Sequence, residues 1–137
     1  MDTQEYEDGR LYLAEGGLSV ADMTKRLEDE LKRRGIPLFA RFDHAKNARE
    51  AGLELRPTTV VVFGSPKVGT GLMQENQMIS LELPLRISIW EDEKGGTWLA
   101  FPKIARMAEE YGLSNHPAVP KMQALMEELV EKAGKSG

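Results

Sequence analysis

TTVVVFGSPKVGTGLMQEN, residues 58–76, changes character in its middle. Thr58 to Phe63 is a continuous β-branched and aromatic run, the composition of a strand buried on both faces, and its position after Pro57 predicts a place near the centre of a sheet. Ser65 followed by Pro66 is a helix start: serine accepts a hydrogen bond from the first turn, and proline at the first helical position loses no useful donor. The spacing therefore predicts a strand that stops at Gly64 and a short helix that begins at once. A helix N-terminus presents unpaired N–H groups and a partial positive charge, and Lys67 and Thr70 add donors beside it. Gly64, Ser65, Lys67, Gly69 and Thr70 are accordingly candidates to hold a small anionic ligand. The bland reading stays open: Gly64 permits the turn, Gly69 and Gly71 allow close packing, and Lys67 is solvated. A nucleotide triphosphatase does not fit, because the P-loop lysine should follow the second glycine, whereas here it stands at 67, before Gly69. A GxGxxG fingerprint fails as well, since Gly69-Thr70-Gly71 is followed by Leu72, Met73 and Gln74.

Working outward, Arg10 to Glu15 alternates as a strand, and Ser19 caps a helix whose Val20, Met23, Leu27 and Leu31 share a face before Lys32-Arg33-Arg34-Gly35 ends it. Ile36 to Asp43 alternates again, as a strand with one face in the core, and Asp43 stands as the cap of a short helix ended by Gly52. Beyond the opening stretch the odd positions from Ile79 to Ile89 are apolar, interrupted by Pro84; the half after Pro84 reads as strand, the half before it equally as a helical turn. Lys94-Gly95-Gly96 marks a hairpin into Thr97–Phe101, and helices follow from Ile104 to Gly112 and from Pro117 or Pro120 onward. The order is β-α-β-α-β-α-β-β-α-α. The fold class is therefore α+β, a two-layer α/β sandwich in which helices lie mainly on one face of a mixed sheet.

At 137 residues, without repeat or linker, the chain reads as one domain, residues 1–137, with frayed ends at 1–7 and 134–137. No cysteine is present, which rules out disulfides and thiol chemistry. The acidic start has neither the basic nor the apolar part of a signal peptide, and no apolar run approaches the roughly 20 residues that span a bilayer, so a cytoplasmic location without membrane contact is expected. Lys and Arg number 18 against 22 Asp and Glu, a net charge of −4 that disfavours nucleic acid as a partner.

The second place for chemistry is Asp43-His44. An imidazole beside a carboxylate is a general acid or base, with Asp43 orienting it, although Asp43 is also the best cap for the next helix. This pair and the glycine stretch share one rim only if the second and third strands run parallel, through a right-handed crossover. An enzyme using His44 is thus one alternative to a binding domain, and a homodimeric protein-interaction module acting through Trp90 and the last helix is another. The two histidines, His44 and His116, belong to no spaced metal cluster, so no metal is expected and the cofactor is unknown. Glu91-Asp92-Glu93 precedes a turn, where solvated acids are ordinary. Met122, Leu125, Met126 and Leu129 read as core or subunit interface, and Trp90, opposite the apolar positions of its strand, as a dimer contact or a ligand wall.

The ordered combination FDHA, LRPT, FGSPKVGT and LPL, within residues 18–112, resembles the domain of unknown function 302 family of small bacterial and archaeal proteins. The resemblance implies a two-layer α/β fold and a homodimer, and it brings no established reaction, catalytic residue or cofactor. By motif it implicates Asp43, His44, Pro57, Thr58, Gly64, Pro66, Lys67, Gly69 and Thr70.

Overall fold

The structure is a computed structural model that describes residues 9–135. The chain runs β1 (Leu11–Gly16), α1 (Val20–Arg33), β2 (Leu38–Asp43), α2 (His44–Glu50), β3 (Thr58–Phe63), α3 (Pro66–Glu75), a 3₁₀ helix (Gln77–Leu81), β4 (Leu85–Glu91), β5 (Thr97–Pro102), α4 (Ile104–Glu110) and α5 (Ala118–Gly134). The strands form one five-stranded sheet in the order β1-β5-β4-β3-β2. All four pairings are antiparallel, not mixed as expected.

Period-two alternation builds the core. In β3, Val61 and Phe63 point to the covered face; Ile87 and Ile89 of β4 and Leu99 and Phe101 of β5 extend the same layer, all fully buried or nearly so. Onto it pack Met23, Leu27 and Leu31 of α1 and Met126, Leu129 and Val130 of α5, each helix contributing a stripe at three- and four-residue spacing. α1 is fixed locally: the Ser19 hydroxyl accepts from the N–H of Asp22 at 3.1 Å, and Gly35, at φ +70°, ends the helix in the left-handed region. α1 and α5 lie against each other, and the Arg34 guanidinium ties Glu30 of its own helix to Glu128 of α5. Two donors from Arg33 and Arg34 hold the Glu30 carboxyl down at about 2.

Four local expectations are corrected. β3 is not buried on both faces: Thr58, Val60 and Val62 are half-buried, and the strand lies next to the sheet edge, with β4 at the centre. β2 has neither face in the core. It is the edge strand, and Leu38, Phe39 and Phe42 remain 44%, 50% and 49% exposed. Asp92 is buried instead of solvated, inside the β4–β5 turn. Gly134 is not frayed, because it closes α5 and its carbonyl accepts from the N–H of Gly17 at 2.8 Å. The other ends expected to fray, 1–7 and 136–137, lie outside the described residues. Before Pro84, the segment that fitted two periods is the 3₁₀ helix.

Candidate functional site

Gly64 ends β3, and its N–H donates to the carbonyl of Pro37 at 3.2 Å, which ties the turn to the start of β2. Ser65 is the N-cap of α3, its hydroxyl at 3.5 Å from the N–H of Val68, and Pro66 occupies the first turn. α3 then leaves the sheet edge and buries only Leu72. Between α3, the 3₁₀ helix, the ends of β2–β4 and the start of α5 lies a cleft of about 490 Å³. Phe63 and Leu85 are buried in its lining, which Phe39, Val68, Met73, Leu83 and Pro84 complete together with Met122 and Leu125 of α5.

Of the five residues expected to hold a ligand, Gly64, Ser65, Gly69 and Thr70 line this cleft; Lys67 is exposed and lies outside its wall. The cleft is apolar. Its polar side chains are the hydroxyls of Ser65, Thr70 and Ser80.

The wall made by α3 and the 3₁₀ helix is held by side chains from the α4–α5 region. Asn76 donates through Nδ2 to the carbonyl of Tyr111 at 2.9 Å and accepts through Oδ1 from the N–H of Met78 at 3.0 Å. The Tyr111 hydroxyl donates to Glu82 at 2.8 Å, a bond that raises its pKa above the ordinary phenol value. His116 accepts the N–H of Ala118 on Nδ1 at 3.0 Å, at the start of α5, and places Nε2 3.1 Å from Glu75 at the end of α3. With Nδ1 an acceptor, Nε2 carries the proton and donates to Glu75. His116 is thus a clasp between the end of α3 and the start of α5.

Asp43 and His44 are elsewhere. Because β2 and β3 are antiparallel, Asp43 pairs with Thr59 while Leu38 pairs with Phe63, so the two candidate sites lie at opposite ends of β3, about 14 Å apart along the strand. The shared rim does not form. Asp43 caps α2, accepting from the N–H of Lys46 at 3.0 Å, and His44 stacks on Phe42 with ring centroids 6.4 Å apart. Arg41, two residues before Asp43 in β2, pairs with Glu28 of α1 at 2.7 Å. Among the described residues no three acid or histidine side chains gather as metal ligands.

Beyond the 63–73 turn, the sequence does not mark the cleft walls at Ser80, Leu83, Leu85, Met122 and Leu125. Met122 and Leu125 carry the helical spacing of a core stripe, and periodicity cannot tell a side chain that meets protein from one that meets a void.

With this geometry in place, similarity to known proteins becomes informative. A crystal structure of an uncharacterized conserved protein DUF302 from Bacillus stearothermophilus superposes with a TM-score of 0.69, covering 90% of this chain and 94% of that one at 22% identity, which speaks to the fold. The chain is 40% identical over 117 residues to the protein named fluoride-specific ion channel FluC 1 of Brucella suis biovar 1 (strain 1330), and equally to the FluC 1 of Brucella abortus biovar 1 (strain 9-941). Those matches cover 84% of this chain but 46% and 43% of the relatives, so the chain spans less than half of their length. No helix among the described residues is long and apolar enough to cross a membrane. Residues 14–132 match the family described as Domain of unknown function DUF302, a span that runs past Gly112 to take in nearly all of α5; this chain belongs to that family.

Proposed function

We propose that the chain is a ligand-binding domain whose site is the cleft against Phe63–Met73, and that a small anionic group of the ligand sits at its rim, beside Ser65, Lys67 and Thr70. The cleft carries the reading: about 490 Å³ lies within the range of small-molecule sites, and its lining is mostly apolar with a few hydroxyls to one side. In the first turn of α3 Pro66 has no N–H and the Ser65 hydroxyl takes that of Val68, so the donors this turn adds are the backbone N–H and the ammonium of Lys67. Titration with inorganic phosphate and acetate, followed by thermal shift, tests the rim. A ligand bound only by the native state raises the midpoint, and Lys67→Ala is expected to weaken phosphate about tenfold or more while the unliganded midpoint stays put. Equal affinity in parent and variant removes Lys67 from the site.

A second reading comes from the Brucella relatives. Proteins named as fluoride channels contain a region of 117 residues, less than half of their length, that is 40% identical to this chain. No helix among this chain's described residues is long and apolar enough to cross a membrane, which supports assigning conduction, in this reading, to the remainder of those proteins. In this reading the domain is an accessory part that works beside a membrane channel and reports ligand occupancy to it. Fluoride efflux from liposomes holding the B. suis protein, compared with a form lacking the matched region, tests it; identical efflux with and without added ligand ends it.

A further inference from the structure

Resting on the cleft as a binding site, we infer that the body of its ligand is a hydrocarbon chain, so that the ligand class is an aliphatic amphiphile such as a medium-chain carboxylate or alcohol. No charged side chain and no imidazole lines the cleft. A sugar, nucleotide or phosphate placed inside would lose its water and gain at most three hydroxyl partners, an unfavourable exchange for each group left unpaired. The hydroxyls of Ser65, Thr70 and Ser80 are on partly or fully exposed residues, whereas the floor, Phe63 and Leu85, is buried. Polarity therefore falls from rim to floor, the order in which an amphiphile presents its head and its tail. Met73 of α3 and Met122 of α5, both in the lining, are unbranched and adaptable, which suits a flexible chain better than one rigid shape. Beside these hydroxyls Phe39 is half exposed and Val68 exposed, apolar area that a bound chain would cover.

The test is calorimetric titration of the full chain with octanoate, decanoate and dodecanoate below their micelle concentrations, with decanol, acetate and inorganic phosphate alongside. Affinity should rise about fourfold per methylene until the cleft is full, with a negative heat-capacity change. In ¹³C-methyl methionine spectra, decanoate should move Met73 and Met122 and leave Met23 and Met107 in place. Gly69→Leu should weaken decanoate at least tenfold, because its side chain enters between Leu83 and Met73, each now 3.7 Å from where a Cβ would stand. Ser80→Trp, at an exposed position of the 3₁₀ helix that lines the cleft, gives the same reading without burden on the core. If phosphate binds and loses affinity in Lys67→Ala while decanoate binds no better than acetate, the hydrocarbon inference falls and the rim reading stands. Decanoate binding that is insensitive to Lys67→Ala keeps the inference and removes the anionic rim. If neither binds, or decanoate binds equally to both cleft variants, the inference is overturned.

Discussion

Asp92 accepts three hydrogen bonds within the β4–β5 turn, from the N–H of Lys94 and of Gly96, both at 2.9 Å, and from the indole Nε1 of Trp98 at 2.8 Å. Donors favour the ionised form, with the Trp98 bond the largest cause, so the carboxyl lies below its ordinary value. A depressed folded value means that the stabilisation is present above the unfolded carboxylate value and is lost as pH falls through the folded one. Asp92→Asn is therefore expected to lower the melting temperature at pH 7, since its NH₂ must face one of these donors, and the gap to the parent should narrow on acidification; thermal melts from pH 7 to pH 2.5 check both. Both neighbouring glycines answer to the turn: Gly95, whose N–H donates to the Asp92 carbonyl at 3.1 Å, takes φ +81°, and a Cβ on Gly96 would stand 3.0 Å from Asp92 Oδ2. The turn itself was legible in KGG. The burial of Asp92 was not, because an acid run before a turn looks the same in sequence whether water or an indole satisfies it.

α3 is an expensive helix for what it buries. Gly69 and Gly71 sit inside it at about 0.5–1 kcal/mol each relative to alanine, and Leu72 is its one buried residue. Close packing does not explain them: a Cβ on Gly71 would meet nothing within 4 Å, and one on Gly69 would make ordinary contacts at 3.7 Å. Gly71→Ala is thus expected to stabilise by about 0.5–1 kcal/mol in urea unfolding. Low helix propensity with little burial is also the recipe for local opening, so the amides of α3 should exchange with deuterium sooner than those of α1 in native-state exchange mass spectrometry. His116→Ala, which removes the clasp to Glu75, should speed exchange in α3 further and leave α1 unchanged. The start of α3 could be read from Ser65 and Pro66 because capping is a local matter. Its clasp could not: Asn76 and Tyr111 are 35 residues apart, and nothing in either segment names the other.

At the scale of the molecule, the number, order and type of elements follow from periodicity and punctuation, while the strand order does not. An alternating strand states that it wants cover on a face without saying from what. Ile36–Asp43 alternated as a core strand should, yet β2 is the edge, with Phe39 against the cleft and Phe42 left half exposed. The true centre is shared by α1, α5 and β4, so Leu27→Ala, at a fully buried position between them, should cost about 2–5 kcal/mol in chemical denaturation, against under 0.5 for a change at exposed Lys25. The antiparallel register of β2 on β3, which holds Asp43–His44 and the cleft at opposite ends of β3, has a thermodynamic corollary. Groups about 14 Å apart with no shared partner perturb folding separately. The unfolding free energy of His44→Ala combined with Gly71→Ala should equal the sum of the single changes to within about 0.5 kcal/mol, and the two ends are free to drift in sequence without consulting each other.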